Sequence, residues 1–320
     1  MRMRMKMKLG MNYPTYKVYQ QPASQAAKEK LLALGAECAR IFHSAPEEDL
    51  RWCVEHIPFI LVRWRWDADL PKSALYARQY TDLRNLDEAL RLLTSYAPLT
   101  TGIAVELHNE PDIEVGGGLE AFIPWFAQQY GEFKSAWPNI PLIFPALSQG
   151  QAPPTGVRAD GFGFHRYLLG PHVLYRAWVT EMGQPASFER VRWLQVMIEA
   201  ARDAEAHSVY LWHSESDDPN FRDYVLSLEE CQALGDWWKS KRAAQSLSTN
   251  PPDLELDLAH IHAAWGWIDK AQKDLQSAKE ELEFYGKTYS KAHSKVYSEA
   301  LGKAYGKAYI KAYERRYGKG

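Results

Sequence analysis

The chain has 320 residues, 46% of them hydrophobic and 24% charged, with a formal net charge of −2. That length suffices for one large core, and the near-neutral balance gives no electrostatic reason to expect nucleic acid or an acidic membrane as the main partner of the folded part. Three scattered cysteines, Cys38, Cys53 and Cys231, fit neither a disulfide framework nor a metal-ligand spacing and suit a reducing compartment.

The N-terminus, MRMRMKMKLGMNYP, alternates Met with Arg or Lys and has no apolar stretch behind it. It does not read as a secretory signal. No run of 18 apolar residues occurs, so no membrane span is expected. As written, the protein is expected in the cytoplasm, with release by lysis as the route to an external substrate.

From there to about residue 240, short apolar runs alternate with stretches of helical period. The strand candidates are 5–13, 38–43, 59–66, 103–109, 142–147, 161–167, 178–182 and 209–213. Helical periodicity covers 24–34, 47–56, 83–96, 119–137, 188–206 and 228–241. Ser44 before PEEDL and Ser187 before FERVRWL read as helix-capping residues. Strand–helix alternation implies a parallel sheet with right-handed crossovers, and eight repeats in about 240 residues favour a closed (β/α)₈ barrel, an α/β fold, over an open sheet. No GxGxxG turn follows the first strand, which argues against a dinucleotide site.

The barrel is therefore assigned to 1–244 and a linker, QSLSTNPPD, to 245–253. A helical extension follows over 254–320. Its last part has a strict four-residue period: Tyr285, Tyr289, His293, Tyr297, Leu301, Tyr305, Tyr309, Tyr313 and Tyr317 stand in register, often within Lys-Ala-Tyr triplets. Each four-residue step turns an α-helix by about 400°, so such a stripe winds around the axis at about 40° per repeat. From 284 to 320, nine Lys/Arg stand against two Glu, a local charge of +7. This basic aromatic tail suits an anionic polymer or a partner helix, or it is a solvated extension with no ligand.

Active sites of such barrels lie at the C-terminal ends of the strands. Strand four ends VELHNEPD, delivering His108, Asn109 and Glu110 before Pro111, which has no N–H for the ladder. Strand seven ends WVTEMG, delivering Glu181. Two carboxylates from strands three apart would face each other across the mouth. Glycosidic cleavage needs such a pair, one protonated to assist the leaving oxygen and one ionised to attack the anomeric carbon, about 5–5.5 Å apart in retaining enzymes.

LHNEP and VTEMG resemble the acid/base and nucleophile motifs of glycoside hydrolase clan A, and further positions are similar to its cellulase-like family 5. The resemblance covers about residues 5–240. It implies a retaining β-glycosidase that works by double displacement, with Glu110 as acid/base and Glu181 as nucleophile. Arg40, in ECARIFHS, matches the arginine that hydrogen-bonds the nucleophile. A barrel ion pair between Arg40 and Glu106 is the alternative. Asn109 matches the residue that contacts the sugar 2-hydroxyl. His165 and Tyr167, in GFGFHRYL, match a His-x-Tyr pair whose tyrosine lies against the nucleophile and whose histidine sets the acid/base. Trp212, in VYLWHS, matches the floor of the −1 sugar site. One departure is plain: strand three ends RWRWDAD, without the histidine often found there.

His108, Tyr13 and Trp66 are further candidates for the substrate face, with Trp64, Trp125 and Tyr175 as possible subsite aromatics, although core packing is the commoner use of a single aromatic ring. HSES at 213–216 and HIH at 260–262 are isolated, so no metal is expected, and the chemistry calls for no cofactor. The expected partner is a β-linked oligo- or polysaccharide. A barrel that binds carbohydrate or a protein without cleaving anything, with the tail used for assembly or surface attachment, is the rival reading. Transglycosylation would use the same residues.

Overall fold

A computed structural model describes residues 7–13, 22–64, 84–96, 102–115, 118–148, 151–167, 176–184, 186, 189–212 and 222–247. Eight parallel strands close into a barrel in sequence order. They are β1 (Lys8–Asn12), β2 (Cys38–Phe42), β3 (Phe59–Trp64), β4 (Gly102–Leu107), β5 (Leu142–Phe144), β6 (Gly161–Tyr167), β7 (Trp178–Gly183) and β8 (Ser208–Leu211). Every expected strand forms, several of them a residue or two shorter than the apolar run that marks it.

The helices are α1 (Gln25–Leu34), α2 (Glu47–His56), α3 (Arg84–Tyr96), α4 (Pro111–Glu114), α5 (Gly118–Ala136), α6 (Arg190–Asp203) and α7 (Leu228–Leu247). Ser24 caps α1 by accepting from the Ala27 amide, and Gly35 ends it at φ 63°, a left-handed turn that glycine takes without strain. The expected cap at Ser44 does not form. Pro46 precedes the first turn of α2 instead, and Glu47, Glu48 and Asp49 supply negative charge to that helix end. Ser187 lies outside the described residues.

Among the described residues, the segment from β5 to β6 carries no helix. Asp160, just before β6, ties this connection down by accepting from the Leu142 amide (2.9 Å), Lys134 Nζ (3.0 Å) and the Tyr130 hydroxyl (3.0 Å).

The chain divides into two compact units, 1–167 with 171–237 and 168–170 with 238–320. The barrel is the first. The expected linker beyond 247 and the whole Lys-Ala-Tyr extension lie outside the described residues. Among the described residues, no helix is long and apolar enough to cross a membrane.

Side chains alternate along each strand, so every second residue points into the barrel. Cys38, Phe59, Leu61, Ala104, Ile143, Trp178 and Tyr210 fill its interior as one apolar cluster. Gly163 makes room beside them: a Cβ there would lie 2.6 Å from the Ala146 backbone nitrogen and 3.1 Å from Oε1 of Glu106. The three cysteines are buried free thiols, and burial pushes Cys231 up to about 12, so it stays protonated.

Candidate active site

One step beyond the apolar layer, toward the C-terminal ends of the strands, the inward positions become polar. Asn12 follows Gly10 on β1, Arg40 follows Cys38 on β2, and Arg63 follows Leu61 on β3. Glu106 follows Ala104 on β4, and His165 follows Gly163 on β6. Register joins these positions sideways: Asn12 pairs with Arg40, Arg63 with Glu106, and His165 with Glu181. All six side chains are at least nine-tenths buried, so their charges must be met inside the barrel.

Glu181 reaches this layer through an irregularity. On a regular strand Trp178, Thr180 and Met182 would share a face, and Glu181 would point the other way. The pairing of β6 with β7 shifts between Phe164 and His165, and β8 shifts likewise against Val179–Met182. The result sets Glu181 opposite His165, a bulge-like device that re-aims one side chain. The Thr180 carbonyl accepts from Asn12 Nδ2 (3.1 Å) and Arg40 Nη1 (3.3 Å), while Asn12 Nδ2 also donates to the Leu211 carbonyl (3.0 Å).

Arg40 makes both of the contacts anticipated for it. Nη1 lies 2.8 Å from Glu181 Oε1, while Nε and Nη2 lie 2.7 and 2.5 Å from Glu106 Oε2. Burial alone would weaken its charge, but the Glu106 and Glu181 carboxylates outweigh that and push its pKa higher still. Asn12 Oδ1 accepts a further bond from Nη1 at 3.1 Å. A second guanidinium, Arg63, places Nη1 3.3 Å from the same Glu181 oxygen.

The end of β4 is strained. His108 and Glu110 take φ values of 82° and 38°, left-handed conformations that non-glycine residues rarely adopt. Glu110 thereby becomes the N-cap of α4, whose first residue is Pro111. Side-chain bonds hold the turn: Asn109 Nδ2 donates to Glu114 Oε1 at 2.7 Å, and Ser148 donates to Asp112 through its hydroxyl at 2.5 Å and its amide at 3.1 Å. Glu110 Oε1 shares a 2.7 Å hydrogen bond with His165 Nδ1, and the other nitrogen of that ring, Nε2, lies 3.6 Å from Glu181 Oε1. One imidazole thus stands between the two glutamates.

The other candidates are distributed as follows. Asn109, expected at a sugar hydroxyl, is engaged by Glu114. His108 is fully buried, and its ring meets Phe122 of α5 edge-on at 5.7 Å. The left-handed backbone at His108 accounts for that turn toward the helix layer. Tyr13 is 1% exposed and donates its hydroxyl to Asp49 Oδ1 at 2.9 Å, which commits it to the seam between β1 and α2. Trp64 is buried and stacks on Trp125 at 6.0 Å. Trp212, at the end of β8, is buried with its ring tilted against Tyr224 at 6.1 Å. Tyr167 closes β6 opposite Gly183; its side chain, like all of Trp66 and Tyr175, lies outside the described residues. Among the described residues no group of three or more His, Cys, Asp or Glu is placed to hold a metal ion.

Arg63, Asn12, Glu114 and Asp112 were not anticipated. Arg63 had a readable signal: a lone cation inside the apolar run FILVRW, two residues beyond Leu61, on the inward face. Asn12 and Asp112 announce themselves only through contacts distant in sequence, and Glu114 only through its bond to Asn109.

No protein-family model and no curated protein matches the sequence. Solved structures do. ZgEngAGH5_4, in complex with a cellotriose, aligns over 72% of this chain and 96% of its own at TM-score 0.50 and 11% identity. The chain shares the closed (β/α)₈ barrel fold of that protein. An endo-1,4-beta-D-mannanase from Thermotoga petrophila RKU-1 aligns over 72% of this chain and 99% of its own, at TM-score 0.48 and 14% identity. An FMN-binding beta-glucuronidase from Facaelibacterium prausnitzii L2-6 aligns over 65% of this chain at TM-score 0.46 and 12% identity, and there the chain spans only 38% of the larger protein.

Proposed function

We propose that the chain is a retaining glycoside hydrolase that cleaves β-O-glycosidic bonds in an oligo- or polysaccharide by double displacement. The observation that carries this reading is the asymmetric setting of two carboxylates on one imidazole. Glu181 faces two guanidinium groups and is at most 6% exposed, which favours its ionised, nucleophilic form. Glu110 meets neither arginine among the contacts described, and its side chain is 18% exposed at the rim, where a leaving oxygen can approach it. Two carboxyl groups placed in unlike surroundings divide the acid and nucleophile roles between them.

In the first step Glu181 attacks the anomeric carbon, and the bond to the leaving oxygen breaks as Glu110 supplies a proton. In the second, water attacks the same carbon, Glu110 takes its proton, and the bond to Glu181 breaks with its electron pair returning to the carboxylate. Arg40, fixed by Glu106 and Asn12, holds Glu181 in place. His165 orients Glu110. Trp212 and Tyr167 are assigned to the −1 sugar site by the motif resemblance.

Replacing Glu110 or Glu181 by Gln tests the reading on aryl β-glycosides of gluco and manno configuration. Each variant is expected to keep the wild-type circular-dichroism spectrum and to lose activity by 10²-fold or more, on the order expected for removing an acid/base or a nucleophile. Wild-type rates in both variants would exclude it.

A further inference from the structure

Arg40 is the nearer guanidinium to Glu181, yet most of its charge is directed elsewhere. Two of its nitrogens lie on Glu106 at 2.7 and 2.5 Å, against one on Glu181 at 2.8 Å. Glu106 is 0% exposed, and that guanidinium meets its carboxyl inside the barrel. Arg40 and Glu106 therefore come close to balancing each other. Glu181, also buried, meets a second guanidinium, that of Arg63. Arg63 is 4% exposed, points into the barrel beside Glu106, and brings Nη1 to 3.3 Å from Glu181 Oε1. Its guanidinium carbon sits 5.2 Å from the centre of the Phe42 ring on the neighbouring strand, which limits where the cation can move.

From this charge arrangement we propose that Arg63 is a catalytic cation for the second chemical step, stabilising the Glu181 carboxylate as it leaves the sugar. The inference rests on the double-displacement reading above. When Glu181 attacks the anomeric carbon its charge disappears into an ester, and Arg63 loses its ion pair with that carboxylate. The covalent intermediate is raised in energy by this. When water attacks the anomeric carbon and Glu110 takes its proton, the carbon–oxygen bond to Glu181 breaks, the electron pair returns to the carboxylate, and Arg63 regains that ion pair. A carboxylate held by two cations is a poorer nucleophile and a better leaving group than one held by a single shared cation. Arg63 thus shortens the life of the glycosyl-enzyme and moves the slow step away from its hydrolysis.

The test compares the wild type with Arg63→Gln and Arg63→Met, which are neutral, and with Arg63→Lys, which keeps the charge. Each is treated with 2,4-dinitrophenyl 2-deoxy-2-fluoro-β-cellobioside and β-mannobioside, freed of reagent, and followed for return of activity and loss of the covalent adduct by mass spectrometry. The neutral variants are expected to return at least tenfold more slowly than the wild type, and to show a burst of dinitrophenolate with the corresponding non-fluorinated glycoside. Arg63→Lys is expected to stay within a few-fold of the wild type. Equal return rates in all four proteins, or a Lys variant as slow as the Gln variant, would overturn the role of the Arg63 charge while leaving the two-step mechanism intact. Failure of the wild type to form any adduct would instead overturn the mechanism on which the proposal rests. If a neutral variant fails to fold, the Lys variant still decides, because a Lys variant with a persistent adduct contradicts the charge argument.

Discussion

Nδ1 of His165 lies 2.7 Å from Oε1 of Glu110, and this bond joins the turn after β4 to the sixth strand. The ring is 3% exposed, and its other nitrogen looks toward Glu181. Glu110 stands on a left-handed backbone at the end of a strand, so its carboxyl needs an outside partner to fix its direction. His165 is that partner.

Replacing His165 by Ala is therefore expected to cost most where proton donation matters most. With a phenyl glycoside, whose leaving group needs the proton, kcat should fall by about 10–100-fold, within the range that acid catalysis contributes. With a dinitrophenyl glycoside the loss should be several-fold smaller. Steady-state kinetics across a series of aryl leaving groups checks this. Equal losses for all leaving groups would show that His165 supports the barrel and not the acid.

Asn12 holds three strands at the point where β7 departs from regular pairing. Its amide donates to the carbonyls of Thr180 and Leu211 and accepts from Arg40. Asn12→Ala would leave buried carbonyls short of a donor, at about 1–3 kcal/mol for each such group. Urea unfolding should show a lower midpoint, and kcat/KM should fall further than stability alone explains, because Glu181 is aimed by the same irregularity. A variant with lowered stability and unchanged kcat/KM would confine Asn12 to a structural task.

Much of this arrangement was legible in the sequence, and the exceptions have physical causes. Eight apolar runs gave eight strands, because a buried parallel strand needs a continuous apolar segment. Glu110 and Glu181 could be placed at strand ends for the same reason. That Glu181 points inward could not be read, since regular alternation from Trp178 puts it on the outer face. Asn12 looked like an ordinary polar residue because its partners are Thr180 and Leu211, about 170 and 200 positions away. Tyr13 had the composition of a subsite aromatic and proved to be tied to Asp49, a choice that depends on a helix position that strand patterning does not report. Strand three lacked the histidine expected of it, and two residues beyond Leu61 the barrel carries Arg63 instead.

Two part-buried histidines should make the fold weaken in acid. Burial pushes His43 down to about 4, and burial with the nearby Lys8 charge pushes His207 down to about 3, from an ordinary 6.5. Between pH 6.5 and about 4 the unfolded chain binds protons at these positions and the folded chain does not, so stability rises with pH across that window. It is fully present above pH 6.5 and is lost as pH falls, by ~3 kcal/mol for His43 and ~5 kcal/mol for His207 once the folded form is also protonated. Urea unfolding at pH 7 and pH 4.5 should show the drop, and His43→Gln should reduce it. An identical pH dependence in the variant would contradict the assignment to His43.

The central claim is that Glu181 forms a bond to the sugar. The most direct measurement is to trap the wild-type protein with a 2-deoxy-2-fluoro aryl β-glycoside, digest it, and sequence the labelled peptide by mass spectrometry. The account predicts one sugar per chain, carried by Glu181 within WVTEMG, and no labelling of Glu181→Gln. A sugar attached to any other residue, or product formed with inverted configuration at the anomeric carbon, would contradict it.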